Sequence, residues 1–205
     1  NKIRGAELFP TDIALDNAIV AGYGNIITGS SASSIVGGVY NEIWGTTHLL
    51  SAGFTNYSFI GGGIRNIIKP DAGMYLTILG GIKNEIRPIG EGLSAYFGLS
   101  TNSTILGGRS NVISASTYAS IVNGTGNTIT ANIKGIPNYS SIINGINNRI
   151  VGPHNSSVIL GGDGIISSTS HTTHTNGLNV DTDSVVGTRS LIYHGGYANE
   201  GTGRI

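Results

Sequence analysis

One ten-residue pattern recurs eight times in this chain and limits the folds open to it more than any other feature. The pattern is a small residue, Ile, an aliphatic residue, Gly, Gly, two variable residues, Asn, a variable residue and Ile. Every window carries Ile at the second position and Gly at the fifth. Such a chain is expected to stack its repeats, because each repeat can bury its apolar face only against its neighbours. The windows begin at Ala18, Ser34, Phe59, Thr77, Thr104, Ser120, Ser141 and Val158.

An Asn occupies the eighth position of seven windows, and Ile165 replaces it in the last. Successive Asn residues lie 16, 25, 18, 27, 16 and 21 residues apart, so a minimal coil of about 16 residues receives insertions of varying length. The insertions fall between the closing Ile of one window and the first residue of the next. The Asn side chains are predicted to stack into a structural ladder along one corner. Its members are Asn25, Asn41, Asn66, Asn84, Asn111, Asn127 and Asn148.

A coil of this length has room for two short strands and two turns. The sequence therefore predicts an all-β fold, a repetitive β-solenoid or β-roll of about eight coils with variable loop insertions. The Gly-Gly pair is expected to form the first corner, where a positive φ is needed, and Asn is expected to tolerate the left-handed region and to hydrogen-bond its own backbone. Residues 18–170 are predicted to be the repeat domain, residues 1–17 an N-terminal lead-in or cap, and residues 171–205 a C-terminal connector or stem.

Composition supports the all-β prediction and excludes several partners. Gly makes up 33 of 205 residues, only 11% of residues are charged, and Ile far outnumbers Leu, which favours strands over helices. Because the formal net charge is zero, no nucleic acid partner is predicted. No apolar run approaches the roughly 18 residues of a membrane span, so no membrane insertion is predicted. The chain has no Cys, so neither a disulfide framework nor a thiolate metal site is predicted. We expect no cofactor.

Two adjacent positions in each predicted strand are apolar, although neighbouring side chains in a strand point to opposite faces. The Ile at the second position is expected to fill the interior. The third position then forms an apolar stripe on the outside, larger than a soluble monomer usually exposes, which predicts a homo-oligomer. This oligomer stripe consists of Val20, Val36, Leu79, Leu106, Val122, Ile143 and Leu160, with Gly61 in the third window.

The Gly-centred repeats, with aliphatic residues before the Gly and a fixed residue after it, are similar to the left-handed β-roll heads of trimeric autotransporter adhesins. In the form Ile-x-Gly-Gly-x-x-Asn-x-Ile they resemble repeat regions of bacteriophage and viral tail fibres, over residues 18 to 167. The resemblance implies a non-enzymatic homotrimer, extracellular on a virion or cell surface, that associates with other fibre or tail proteins and binds a host glycan or protein. A bacterial trimeric surface adhesin is the alternative, and a polysaccharide-degrading tailspike is a third possibility.

Aromatic residues supply the candidate recognition sites. Four tyrosines each lie nine residues before a ladder Asn, so stacking is expected to bring them onto one edge, as a structural ladder or as a sugar-stacking platform. These are Tyr57, Tyr75, Tyr118 and Tyr139. The insertions carry further aromatic residues, which are predicted to contact a receptor or glycan because loops on a rigid scaffold commonly bind ligands. These are Trp44, Phe54, Tyr96 and Phe97, with His48 nearby; packing between subunits is the alternative role.

Titratable residues offer weaker candidates. His171 and His174 could bind a metal ion around a threefold axis, but their His-x-x-His spacing puts opposite strand faces in play, so solvated histidines are the default prediction and no metal site is expected. Glycoside cleavage normally needs paired carboxylates. Asp163, Asp181 and Asp183 are the nearest to such a set, and no enzymatic activity is predicted. An ice-binding surface would need a flat, regular array of Thr, which the scattered Thr residues do not provide.

Overall fold

The structure is a computed structural model that describes residues 1–4, 16–45, 56–70, 72–88, 100–131, 139–152, 156–168 and 170–175. These residues form short parallel strands and no helix. The odd-numbered strands are β1 (Lys2–Arg4), β3 (Ile26–Thr28), β5 (Glu42–Trp44), β7 (Ile67–Ile68), β9 (Glu85–Arg87), β11 (Val112–Ser114), β13 (Thr128–Thr130), β15 (Arg149–Val151) and β17 (Ile166–Ser167). The even-numbered strands are β2 (Ala18–Ile19), β4 (Ser34–Ile35), β6 (Phe59–Ile60), β8 (Thr77–Ile78), β10 (Thr104–Ile105), β12 (Ser120–Ile121), β14 (Ser141–Ile142), β16 (Val158–Ile159) and β18 (Thr173–His174).

The chain alternates between two nine-stranded sheets as it passes from one repeat to the next. The odd strands form one sheet, sheet A, in the order β1-β3-β5-β7-β9-β11-β13-β15-β17, and the even strands form the other, sheet B, in the same sequential way. Each strand pairs in parallel with the equivalent strand of the neighbouring repeat. The prediction of an all-β, repetitive architecture is confirmed, and two such sheets are consistent with a β-solenoid.

Two columns of Ile fill the space between the sheets, one from each sheet. In sheet B, Ile35 pairs with Ile60 and Ile60 with Ile78, and the column continues in the same register. In sheet A, the closing Ile of each window forms the second column, as in the pairing of Ile43 with Ile68. Fully burying one such side chain stabilises the fold by roughly 1.5–3 kcal/mol. The fully buried members are Ile27, Ile35, Ile43, Ile60, Ile68, Ile78, Ile86, Ile105, Ile113, Ile121, Ile129, Ile142, Ile150 and Ile159.

The strand array extends past both ends of the predicted repeat domain. Strand β1 lies within the lead-in predicted for residues 1–17, and it pairs with β3 in register, with Ile3 opposite Ile27. At the other end, β18 pairs with β16 and places His174 opposite Ile159, although 171–205 were predicted to be a connector. Strand pairing therefore includes residues of both predicted flanking segments.

The corner that leads from sheet B to sheet A differs from the prediction in which residues adopt a positive φ. The second Gly of each pair does so, as Gly38 (φ 87°) illustrates, and the first Gly has a positive φ only in the last window, at Gly161 (φ 158°). The ladder Asn does not adopt the left-handed conformation; the residue just before it does, whatever its type, as Tyr40 (φ 54°) and Lys83 (φ 56°) show. The expectation that Asn supplies the left-handed residue was therefore wrong, because the Asn side chain is needed inside the corner.

Candidate functional site

The ladder Asn residues lie buried at this corner and connect consecutive repeats through their amides. Asn84 shows the arrangement: its Nδ2 donates to the carbonyl oxygens of Gly80 in its own repeat (2.9 Å) and of Gly108 in the next (3.2 Å). Its Oδ1 accepts a hydrogen bond from the backbone N–H of Asn111 at 3.0 Å. Each amide therefore uses both donor hydrogens and its acceptor on buried backbone groups. The same contacts recur at Asn41, Asn66, Asn111, Asn127 and Asn148.

The column extends to a residue that the sequence analysis missed. Asn1 accepts a hydrogen bond from the backbone N–H of Asn25 at 3.2 Å, so it occupies the ladder position before the first window. The tripeptide Asn1-Lys2-Ile3 matches the Asn-x-Ile end of the pattern, and this match could have predicted the additional ladder position. At the opposite end, the backbone N–H of Ile165 donates to Asn148 Oδ1 at 2.9 Å, and the ladder stops because Ile165 has no amide to continue it.

A second buried polar column, formed by serines, also went unpredicted. Ser33, Ser58 and Ser103 each directly precede a window and lie at the far corner of the interior. Ser33 Oγ accepts a hydrogen bond from the backbone N–H of Ser58 at 3.1 Å, and Ser103 Oγ donates to the carbonyl of Ser116 at 2.8 Å. No buried side-chain polar atom lacks a hydrogen-bond partner in the part of the chain that is described. The interior therefore consists of Ile side chains between two corners whose buried Asn and Ser side chains are all hydrogen-bonded.

The third position of the windows forms an exposed apolar column beside the strands of sheet B. Its exposed members range from Ile143 (39% exposed) to Val20 (72%), while Val122 is half-buried and Gly61 interrupts the column. The neighbouring Ile is buried in seven windows and partly buried in the first, at Ile19, as expected from strand alternation. We call the first and third positions of the windows together the sheet B face.

Charge separates the outer faces of the two sheets. None of the residues on the sheet B face is charged: the first positions are Ala18, Ser34, Phe59, Thr77, Thr104, Ser120, Ser141 and Val158, and the third are aliphatic or Gly. The outer side of sheet A, in contrast, carries Lys2, Arg4, Glu42, Lys69, Glu85, Arg87 and Arg149. Glu85 forms an ion pair with Arg87, with 3.7 Å between Oε1 and the guanidinium nitrogen. The molecule therefore has one uncharged face and one charged face.

The four predicted tyrosines lie in one column along the edge where the chain enters sheet B. They form two stacked pairs: the Tyr57 and Tyr75 ring centroids are 5.2 Å apart with an interplanar angle of 12°, and those of Tyr118 and Tyr139 are 4.9 Å apart with an angle of 3°. Asn102 occupies the intervening position of the same column. All four rings are about half exposed, from 49% for Tyr118 to 61% for Tyr139. The rings therefore contact one another and the solvent more than the interior.

Stability alone does not account for tyrosine at these positions. All four tyrosines have φ between 53° and 58°, a conformation that costs an L-residue with a Cβ roughly 1–2 kcal/mol. A stacked aromatic pair recovers only about 0.5–1.5 kcal/mol for its two residues. Asn or Gly would adopt the same backbone at a lower cost. The repeated use of exposed Tyr therefore suggests a role for the ring faces outside the folding of this chain.

A further aromatic pair lies at the corner between the two sheets. Tyr23 and Tyr40 pack edge to face, with ring centroids 5.4 Å apart. Hydrogen bonding between the two phenols raises the pKa of Tyr40 above its ordinary value. Both tyrosines are exposed, so the rim of the pair is polar.

Of the four predicted contact residues, the structure describes only Trp44. Its indole Nε1 donates a hydrogen bond of 2.8 Å to Glu42 Oε2 on the outer side of sheet A, where the indole is half-buried. The other three, Phe54, Tyr96 and Phe97, lie outside the described residues, as does His48. Trp44 is thus placed on the face opposite to the sheet B face.

The titratable candidates do not come together in the described part of the chain. His171 is an exposed corner residue with a positive φ, whereas His174 occupies the interior Ile column, with 2.9 Å between its Nε2 and Thr172 Oγ1. Asp163 lies at the corner, and Asp181 and Asp183 are outside the described residues. Among the residues described, no three His, Cys, Asp or Glu side chains are grouped so that they could hold a metal ion, and no helix could span a bilayer.

Comparison with known proteins adds no assignment: no protein-family model matches this chain, and no curated protein matches its sequence.

Proposed function

We propose that this chain is a structural and receptor-binding segment of a trimeric phage or viral tail fibre that mediates host attachment. The observation that carries the proposal is the sheet B face, which bears no charged residue in any window, whereas the outer side of sheet A bears several. A face of this kind is suited to lie against another copy of the same chain. The trimer itself rests on the resemblance of the repeats to those of fibres and adhesins.

The energetics favour association through the sheet B face. Each Leu or Val of the stripe that becomes buried contributes roughly 1.5–3 kcal/mol. Association also costs translational and rotational freedom, which offsets part of that sum. Because no charged residue lies on the face, little desolvation cost opposes its burial. An array that stacks in register presents the same stripe at every repeat, so copies lying side by side would match along their length.

The same arrangement would leave the candidate receptor-binding residues on the outer surface of the trimer. If the sheet B faces meet around an axis, sheet A and the Trp44 indole point away from that axis. The Tyr column and the junctions with the insertions follow the edge of the array, where a ligand could reach them. A bacterial trimeric surface adhesin would use the same geometry and remains the alternative function.

A tailspike activity has less support in the described residues. Glu42 and Glu85 lie in one column but are separated by Ile67, and each is engaged by its own neighbour, Trp44 or Arg87. Neither belongs to a described constellation of paired carboxylates around a cleft, which glycoside cleavage would need. We therefore propose a non-enzymatic function.

A pair of matched variants tests the proposal. Thr104 and Thr128 are half-buried, outward-facing strand residues, the first on sheet B and the second on sheet A. We expect wild-type protein to sediment as a trimer and Thr104→Lys to dissociate it, because the lysine would bury a charge in the contact. Thr128→Lys should leave the trimer intact. A wild-type chain that sediments as a folded monomer at micromolar concentration would falsify the proposal, as would a trimer that only Thr128→Lys dissociates.

A further inference from the structure

We propose that the Tyr column contains a binding slot for one neutral hexopyranose ring, held between Tyr75 and Tyr118 with Asn102 as its floor. The inference rests on the proposed function and specifies the ligand class that the fibre would recognise.

The column order creates the slot. Backbone hydrogen bonds from Asn102 N–H to the Met74 carbonyl (3.1 Å) and from Tyr118 N–H to the Thr101 carbonyl (2.9 Å) put Tyr75, Asn102 and Tyr118 on consecutive repeats. Neighbouring parallel strands are about 4.8 Å apart, so the positions of the two tyrosines are separated by roughly 9.6 Å. The shorter Asn102 side chain leaves the space between the two rings unfilled beyond its amide.

That space has the thickness of one sugar ring. Contact of a ring with an aromatic face requires about 4 Å between carbon atoms, so a pyranose between two faces occupies roughly 8 Å. The pairs Tyr57–Tyr75 and Tyr118–Tyr139, with centroids 5.2 Å and 4.9 Å apart, are too close to admit a ring. Along the four tyrosines, the Asn102 position is therefore the gap that can take one.

The chemistry of the slot favours a neutral saccharide. The exposed Asn102 amide makes no side-chain hydrogen bond within the described part of the chain, so it can both donate to and accept from hydroxyl groups. Met74, Thr101 and Thr117 line the adjacent column, and none carries a charge that would select an acidic sugar. An aromatic side chain of a protein partner would stack equally well but would leave the amide unpaired. A pyranose satisfies both the rings and the amide.

Saturation-transfer NMR on the oligomeric protein tests the slot, with the methyl glycosides of glucose, galactose, mannose and N-acetylglucosamine and with p-cresol as probes. We expect transfer to at least one glycoside. Asn102→Tyr should abolish it, because a fifth ring would fill the gap at a backbone position where Tyr already occurs four times. Tyr118→Asn should weaken binding about tenfold by removing one wall. Tyr139→Asn is the matched control and should retain binding within about threefold, because its ring contacts only the far side of Tyr118.

The slot is disproved if no glycoside receives transfer, if p-cresol alone does, if transfer survives in Asn102→Tyr, or if Tyr118→Asn binds the glycoside as tightly as the wild type does. Sedimentation of the same samples separates this result from the proposed function. Trimers that bind no glycoside overturn the slot and leave the fibre proposal standing. Monomers that bind a glycoside through Asn102 would support the slot and overturn the fibre proposal.

Discussion

At the scale of single residues, the ladder position needs a short side chain with two donor hydrogens and one acceptor. Asp has no donor when ionised, Ser has a single hydroxyl, and Gln is longer by one methylene group. Asn therefore fits a corner in which two carbonyls and one N–H must all be satisfied. Seven windows out of eight use it, and the position that lacks it, Ile165, ends the ladder.

Replacing one ladder Asn should destabilise the array strongly. In Asn84→Ala, the Gly80 carbonyl and the Asn111 N–H lose their partner in a buried corner, while the Gly108 carbonyl keeps its bond from the Ile82 N–H. Each buried unsatisfied group costs about 1–3 kcal/mol, so we expect the free energy of unfolding to fall by at least about 2 kcal/mol. Thermal unfolding followed by circular dichroism, at fixed protein concentration, measures the change.

Asn123→Gly is the control for this variant. Asn123 is exposed and occupies the first Gly position, which is open in five other windows, and its Oδ1 accepts only the neighbouring Gly124 N–H. Its loss should change the free energy of unfolding by no more than about 1 kcal/mol. Equal effects of the two variants would mean that the ladder is not what stabilises the corner.

At the scale of elements, strands of two or three residues persist because each strand inside a sheet pairs on both sides with the equivalent strand of a neighbouring repeat. Their register depends on the turn that joins the two sheets. There, the second Gly of each pair packs directly against the backbone of the next repeat, whereas the first Gly faces open space. Lack of space therefore restricts the second position to glycine, whereas it does not restrict the first.

Alanine at these two positions should have opposite outcomes. In Gly81→Ala, a Cβ would collide with the Gly108 carbonyl oxygen at a residue whose φ is 91°, so we expect misfolding or a loss of at least about 3 kcal/mol of stability. A Cβ at Gly80 meets no atom within 4 Å, and Gly80→Ala should unfold within a few degrees of wild type. Denaturant titrations of both variants give the comparison. A stable Gly81→Ala would show that the repeats can move apart at this corner.

At the scale of the whole molecule, the proposed function divides the surface between assembly and recognition. The uncharged sheet B face is assigned to the contact between copies, and the opposite side, with Trp44, to the exterior. The predicted contact residues belong to or adjoin the insertions, whose lengths vary while the repeats stay constant. Recognition can then change without disturbing the stacked core.

Removing the insertion aromatics should weaken attachment without dissociating the trimer. With Trp44, Phe54, Tyr96 and Phe97 all replaced by Ala, we expect binding to target cells to fall at least about tenfold, as the loss of aromatic anchors commonly causes. Tyr23→Ala with Tyr40→Ala removes an exposed aromatic pair away from the insertions and serves as the control. Flow cytometry with labelled protein measures attachment. Undiminished binding by the fourfold variant would place recognition elsewhere.

The parts of this fold that the sequence predicted are those where side chains recur in register. The Ile columns and the outward third position followed from the repeat and from strand alternation, since both depend only on residue type and spacing. The left-handed residue before each Asn could not be predicted, because Tyr40, Arg65 and Lys83 share no property that favours a positive φ. Asn102 was not predicted as a binding residue, because the tyrosines that flank it belong to neighbouring repeats and adjoin it only after the repeats stack.

The hydrogen bonds between paired strands, and those that join each ladder Asn to the next repeat, run along the direction in which the repeats stack. A force applied evenly along this direction therefore loads all the bonds between two repeats together. An attachment rod of this design would resist a moving host as a rigid tether up to a threshold force, and would then lengthen in steps of one repeat.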